Sequence, residues 1–299
     1  MILATNLTGI DAGVLHVSYL ESGPEDGWPV VLSHGFPFDV HAYDEVAPAL
    51  ASHGARVITP YLRGFGPTRF LSADTMRSGQ QAALASDLLA LLDALQLKTA
   101  ILAGYDWGGL ASCVVSALWP ERVAGLVSLA SYDVIDIARQ QEAGPPSLEC
   151  VMWYQHLFQT ERGRDCLAKH RAKLCRLLWT QWSPDWRFSD ATFAQTASSY
   201  ENPDFVEIVI HAYRHDFGLA AGDPALQALE DRLAGRPDIN VPAVTLDGLA
   251  DPLKPGGTAS QASKFKARHE HRQIAAGHNL PQEAPAAFID AVLTVRGWA

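Results

Sequence analysis

The sequence predicts an α/β fold, with a mostly parallel central sheet flanked by helices and an inserted all-helical segment. Short apolar runs alternate with helical patterns near both ends of the chain, as strands buried on both faces require. Between them, a long stretch shows helical spacing and many aromatic residues without a convincing strand. We therefore expect an α/β core in residues 1–130 and 223–299, and a helical cap in residues 131–222.

The first core part reads as strands and helices in alternation. Leu15, Val17 and Tyr19 alternate with polar residues, as in a half-buried strand. Continuous apolar runs predict buried strands at residues 30–32, 57–58, 101–103 and 123–129. Helical runs are expected at residues 110–118 and, from a stripe of leucines on one face, at residues 84–95. This order is typical of successive β-α-β units.

The alternating pattern returns after Pro237. It predicts a strand at 241–246, a helix at 261–268, a short strand at 272–274 and a closing helix at 283–295. The helical segment before it contains four of the eight tryptophans and a basic stretch at 162–176, which we interpret as a solvated helix face.

Composition excludes several classes of function. The 299 residues contain 23 Lys+Arg and 33 Asp+Glu, and the net charge of −10 disfavours nucleic acid and anionic membranes as partners. No apolar run of about 18 residues predicts a membrane span. Residues 1–11 lack a signal-peptide pattern and the four cysteines form no C-x-x-C pair, so we expect a cytoplasmic protein with reduced thiols. His269 and His271 lack an evident third ligand, and no metal or other cofactor is expected.

The sharpest chemical signal is the turn Gly104-Tyr105-Asp106-Trp107-Gly108-Gly109. It joins a predicted strand to a predicted helix, and so tight a turn needs small residues beside the central one. The central side chain is then exposed on the turn, and here it is Asp106. The alternative is a glycine-rich turn whose aspartate only caps the helix.

Further motifs occur in a consistent order along the chain. His34-Gly35-Phe36-Pro37 follows the strand at 30–32, Arg63-Gly64-Phe65-Gly66 follows the next strand, and Gly277-His278-Asn279 lies near the end. With the turn at Asp106, they resemble the α/β-hydrolases that use an aspartate nucleophile. These are the epoxide hydrolases and the haloalkane and haloacetate dehalogenases, and the resemblance to epoxide hydrolases is the stronger.

The resemblance implies a catalytic triad. Asp106 would be the nucleophile, His278 the base that activates water, and Asp251 the acid that orients the histidine. Asp247 and Asp133 are competitors for the role of Asp251, since each also lies at or after a predicted strand.

The resemblance also implies the groups around the triad. The backbone N–H groups of Phe36 and Trp107 would form an oxyanion hole. Tyr154 and Tyr213 in the cap would donate protons to the opening epoxide, although each could instead simply pack in the core. We further expect three residues to line the substrate pocket: Trp153, Pro37 and His34.

These assignments predict an epoxide hydrolase acting on a small apolar epoxide, with a homodimer as a candidate assembly. Two alternatives remain. One is a dehalogenase using the same aspartate, although Phe36 stands where haloalkane dehalogenases commonly have Asn, and Trp107 and Leu110 stand where haloacetate dehalogenases have arginines. The other is a non-catalytic fold that binds a small ligand.

Overall fold

The structure, a computed structural model, describes residues 6–299. Part of the N-terminal segment on which the signal-peptide prediction depends therefore lies outside the described residues. The strands are β1 (Asn6–Ala12), β2 (Leu15–Ser22), β3 (Trp28–Ser33), β4 (Ala55–Pro60), β5 (Arg69–Phe70), β6 (Ala100–Gly104), β7 (Val123–Leu129), β8 (Ala243–Gly248) and β9 (His269–Ile274). The helices are α1 (Val46–Ser52), α2 (Gln81–Ala94), α3 (Trp107–Leu118), α4 (Pro146–Val151), α5 (Trp153–Phe158), α6 (Glu161–Trp182), α7 (Asp190–Ala197), α8 (Phe205–Asp216), α9 (Gln227–Ala234), α10 (Leu280–Glu283) and α11 (Pro285–Arg296).

One sheet contains all of these strands, in the order β1-β2-β4-β3-β6-β7-β8-β9, with β5 paired to β2. The pairs from β4 to β9 are parallel, and the pairs made by β2 are antiparallel. The central strands are buried on both faces, which explains their unbroken apolar runs. The predicted α/β fold with a mostly parallel sheet is confirmed.

Two predicted elements near the C-terminus differ from the structure. The helix expected at 261–268 is a 3-10 helix at Ala259–Lys264, and Phe265 instead pairs with Ile239 in an isolated bridge. The strand expected at 272–274 begins earlier, at His269, where it pairs with Ala243 of β8. His269 and His271 lie on one face of this strand, and both hydrogen-bond the Thr245 hydroxyl of β8.

Helices α4 to α8 form the segment between β7 and the second core part. The longest of them, α6, has a kink at His170 and ends at Trp182. Within residues 6–299, none of the helices has the length and apolarity needed to cross a bilayer.

The parallel sheet brings the chemically important loops to one edge. The carboxyl ends of β3, β6, β7 and β8 lie side by side, and they lead into His34, Tyr105, Ala130 and Leu249 respectively. In open α/β sheets, ligands bind at this carboxyl edge. The loops that contain the motifs around Phe36, Asp106 and Asp251 therefore meet beneath the helical segment.

Candidate active site

Asp106 occupies a strained turn between β6 and α3. Its φ of 51° and ψ of −127° are unusual for a residue with a side chain, and such a conformation costs about 1–3 kcal/mol. A Cβ on Gly108 would lie 2.0 Å from the Ser33 carbonyl oxygen, and one on Gly104 would lie 2.6 Å from the Gly108 carbonyl carbon. The two glycines thus permit the close approach that exposes the Asp106 carboxylate above the sheet.

The two oxygens of the Asp106 carboxylate have different environments. Oδ1 accepts hydrogen bonds from the backbone N–H groups of Phe36 and Trp107, both at 2.7 Å. Oδ2 lies 3.5 Å from His278 Nε2, and the side chain is 15% exposed. The arrangement therefore holds one oxygen with two donors and leaves the other available to react.

Asp251 orients the ring of His278. Asp251 Oδ2 lies 2.9 Å from His278 Nδ1, and both side chains are buried. Asp251 Oδ1 accepts a hydrogen bond from the backbone N–H of Leu253, and the backbone N–H of His278 donates to the carbonyl of Trp182 at the end of α6. The imidazole is thereby fixed with Nε2 toward Asp106.

The two competing acids have other partners. Asp247 accepts hydrogen bonds from the backbone N–H and the hydroxyl of Thr258, both at 2.6 Å, and lies 3.0 Å from His271. Asp133 lies 3.4 Å from the Lys254 ammonium. Among the three predicted candidates, the structure brings Asp251 into contact with His278.

The charges around His278 determine its protonation state. Burial lowers the pKa of the ring, but the carboxylates of Asp251 and Asp106 outweigh it and raise the pKa to about 10. At neutral pH the resting protein therefore contains an imidazolium between two carboxylates.

This raised pKa has a consequence for stability. Since the folded state binds the His278 proton more tightly than the unfolded chain, the stabilisation is complete below pH 6.5 and is lost as the pH rises toward about 10. We expect the free energy of unfolding, measured in urea, to fall across this interval. A His278→Gln variant should show a smaller fall, and an equal fall in both proteins would contradict the assignment.

Tyr154 and Tyr213 face each other from α5 and α8. Their ring centroids are 5.3 Å apart at an interplanar angle of 88°, and both rings are buried. Burial, with the nearby Asp106 carboxylate, raises the pKa of both phenols above the usual value of 10.0. Both hydroxyls are therefore protonated at neutral pH and available as donors, and Gln155 donates a hydrogen bond to the Tyr154 oxygen at 2.9 Å.

A cavity of about 180 Å³ joins these groups. Its lining includes Asp106, His278, Tyr154, Tyr213 and Trp107. The remaining lining residues are apolar, polar and charged in turn: Leu110, Ala130, Ile135, Met152, Phe217, Leu253, Gln140, Gln155, Asp133, Asp216 and Lys254. The cavity expected to bind a small apolar epoxide therefore has a lining of apolar, polar and charged side chains.

Three predicted pocket residues do not line this cavity. Trp153 donates a hydrogen bond to Gln181 on the cap, because consecutive helical residues point in different directions and Tyr154 takes the inward position. His34 is buried and accepts a hydrogen bond from the backbone N–H of Leu62. Pro37 lies beneath the cap, where its carbonyl is hydrogen-bonded.

Sequence reasoning missed Asp216 and Lys254 as cavity residues. Asp216 follows Tyr213 by three residues on α8, so helical periodicity indicates that both share a face. Lys254 lies in an irregular loop after Asp251, where periodicity gives no signal.

Comparisons with known proteins agree with this fold. Residues 29–285 match the family model described as the alpha/beta hydrolase fold. A Klebsiella pneumoniae protein of known crystal structure, provisionally named an epoxide hydrolase, is 46% identical in sequence to this chain. The two structures align with a TM-score of 0.95, and the alignment covers 97% of each chain.

Two curated relatives match over shorter regions. Epoxide hydrolase 2 of Siraitia grosvenorii is 34% identical over 40% of this chain, and a haloalkane dehalogenase of Psychrobacter cryohalolentis is 37% identical over 37% of it. The matched regions span only 35% and 36% of the length of these relatives.

Proposed function

Because the chain belongs to the alpha/beta hydrolase fold family, we propose that it is an epoxide hydrolase that converts a small organic epoxide into a vicinal diol. The proposal depends chiefly on one observation, the asymmetric Asp106 carboxylate. Two amide donors hold Oδ1 while Oδ2 faces His278 in a cavity that also contains two phenols. The similarity to proteins named epoxide hydrolases supports it.

In the first proposed step, Asp106 Oδ2 attacks an epoxide carbon. The bond between that carbon and the ring oxygen breaks, and Tyr154 or Tyr213 donates a proton to the leaving oxygen. The product is a hydroxyalkyl ester of Asp106 and a phenolate. A carboxylate suits this role because it carries the negative charge of a nucleophile and needs no general base to activate it.

Ester formation changes the protonation of His278. The ester at Asp106 is neutral, so one of the two carboxylates that raise the pKa of the imidazolium is lost. The imidazolium can then donate its own proton to the phenolate, which restores the phenol, and the neutral ring becomes the base required for the second step. This coupling keeps the histidine protonated until the ester exists.

In the second proposed step, His278 takes a proton from water and the oxygen of that water attacks the Asp106 carboxyl carbon. Negative charge develops on Oδ1, which the Phe36 and Trp107 amides already contact. The tetrahedral intermediate expels the diol oxygen, which takes the proton back from His278. Asp106 leaves this step as a carboxylic acid with one oxygen from water, and its proton passes to His278, which restores the resting carboxylate and imidazolium.

We also propose that the core and the cap predicted from the sequence contribute different groups to the site. The core, residues 1–130 and 223–299, supplies the triad and the oxyanion donors, and the cap, residues 131–222, supplies the two tyrosines. The apolar part of the substrate would contact Trp107, Leu110 and Met152. The four cysteines are unpaired, which supports the proposal of a reducing, cytoplasmic location. The homodimer stays a prediction.

A substrate screen tests the proposed activity. We expect diol from a panel of small epoxides and no halide from haloalkanes or haloacetates of similar size. Halide release without diol formation would replace the proposal with a dehalogenase, and tight binding without turnover of either class would replace it with a ligand-binding protein.

The two tyrosines give a sharper expectation. Tyr154→Phe or Tyr213→Phe should slow ring opening by about 10²-fold or less, because the partner phenol still donates, and the double variant should lose about 10²–10⁴-fold. Single-turnover formation of the alkyl-enzyme measures this step. Tyr43→Phe is a matched control, since this buried phenol donates to the Ser33 carbonyl and does not line the cavity. Unchanged ring opening in the double variant would contradict the assignment.

A further inference from the structure

The loop that contains the Phe36 amide is held from above by the cap. We propose that the cap positions this amide through Tyr200 and its neighbours, and so controls the rate at which the Asp106 ester is hydrolysed. The inference rests on the proposed function, since it requires that ester. It gives the cap a positioning role toward the oxyanion hole, in addition to the two tyrosines that it contributes to the cavity.

The carbonyl of Pro37, one residue after Phe36, is the first point of attachment. It accepts a hydrogen bond from Trp179 Nε1 at 2.8 Å and another from the Tyr200 hydroxyl at 2.5 Å. Trp179 and Tyr200 are both 0% exposed. A carbonyl oxygen has two lone pairs, and both are used by cap side chains.

The carboxylate of Asp39 is the second point of attachment. Its Oδ1 accepts from the Thr196 hydroxyl at 2.9 Å and its Oδ2 accepts from the Ser199 hydroxyl at 2.6 Å. The Asp39 side chain is fully buried. Hydrogen bonds to a buried carboxylate are stronger than those between neutral groups, so this contact fixes the position of the loop relative to α7 and the turn after it.

The loop between these points is short and is closed by a hydrogen bond of its own. The backbone N–H of Phe38 donates to the Gly35 carbonyl at 2.8 Å, closing a turn around Phe36 and Pro37. The Phe36 ring packs against Phe158 and Phe205 of the cap. A displacement of the loop would therefore move the Phe36 N–H, which now lies 2.7 Å from Asp106 Oδ1.

The two chemical steps should respond differently to such a displacement. Ring opening uses Oδ2, whereas the negative charge of ester hydrolysis develops on Oδ1. Loss of a whole oxyanion donor typically costs about 10²–10³-fold in rate. Misplacement of one donor should reduce the rate by less than this, and the reduction should affect ester hydrolysis, the second step.

The test is single-turnover kinetics of Tyr200→Phe, which removes the hydroxyl and keeps the ring. With styrene oxide as the probe, we expect ester decay to slow by about tenfold and ester formation to change by less than about twofold. In the steady state, kcat and KM should fall together while kcat/KM is preserved, because the ester accumulates. Ser199→Ala, which removes a smaller contact on Asp39, should slow decay in the same direction.

Tyr132→Phe is the matched control. Tyr132 is also buried and also donates to a proline carbonyl, that of Pro237, at 2.8 Å, but this carbonyl is remote in sequence from the Phe36 loop. Thermal unfolding shows whether each variant is folded. Three results would overturn this inference and leave the proposed function unaffected: equal slowing of both steps in Tyr200→Phe, no slowing, or the same slowing in Tyr132→Phe. Failure of the wild-type protein to form any ester with epoxides that it hydrolyses would overturn the proposed mechanism and the inference with it.

Discussion

Asp106→Asn is expected to reduce epoxide turnover by about 10⁴-fold or more, measured as diol release under saturating substrate. The amide keeps the size of the side chain, and its oxygen can still accept the Phe36 and Trp107 N–H groups that now bind Oδ1. The amide lacks the negative charge that makes Oδ2 of Asp106 a nucleophile. The variant should therefore lose the reaction step itself and largely retain the thermal stability of the protein.

Asp247→Asn provides the control for this variant. Asp247 likewise lies at the carboxyl end of a parallel strand, but it binds Thr258 and His271 outside the cavity. We expect this change to lower the melting temperature and to leave more than about a tenth of the activity. Comparable turnover in the two variants would show that Asp106 is not the reacting group.

His278→Gln is expected to arrest the reaction halfway. Ring opening needs Asp106 and the tyrosines, so the ester should still form, while its hydrolysis should slow by about 10²–10⁴-fold without a base. The intact protein, quenched after mixing with epoxide, should then gain the mass of one substrate molecule. Proteolysis should locate the added mass on the peptide that contains Asp106.

The chain offers a second histidine–aspartate pair for comparison. His271 Nε2 lies 3.0 Å from Asp247 Oδ2, near the sheet edge and outside the cavity lining. His271→Gln should turn over normally and accumulate no adduct. Absence of an adduct in His278→Gln, with diol release also lost, would place the histidine in the first step and contradict the assigned order.

The juxtaposition of Asp106, His278 and Asp251 could be predicted from sequence because fold and chain order constrain it. Asp106 and Asp251 follow β6 and β8, and parallel strands bring their carboxyl ends to one edge. The choice between Asp251 and Asp247 was also accessible, since Asp247 lies within β8 and Asp251 in the loop after it. Small residues around Asp106 identified the turn, because its backbone excludes any Cβ at Gly108.

The cavity could not be predicted in the same way. Its lining comes from helix ends and irregular loops. Trp153 was expected beside Tyr154 in the pocket, but its actual direction depends on a helix rotation that no short motif defines. The attachment of the cap to the Phe36 loop is still less visible, because Thr196 and Asp39 are separated by 157 residues. Hydrogen bonds between distant segments depend on tertiary packing and leave no periodic pattern.

The proposed mechanism requires an Asp106 ester on the reaction path. A single turnover in heavy-oxygen water, with enzyme in excess over epoxide, shows whether this ester forms, by mass spectrometry of the Asp106 peptide and of the diol. Since water attacks the carboxyl carbon, we expect the heavy oxygen in Asp106 and an unlabelled diol. Heavy oxygen in the diol with none in Asp106 would mean that water attacks the epoxide directly, and would contradict the mechanism proposed for this protein.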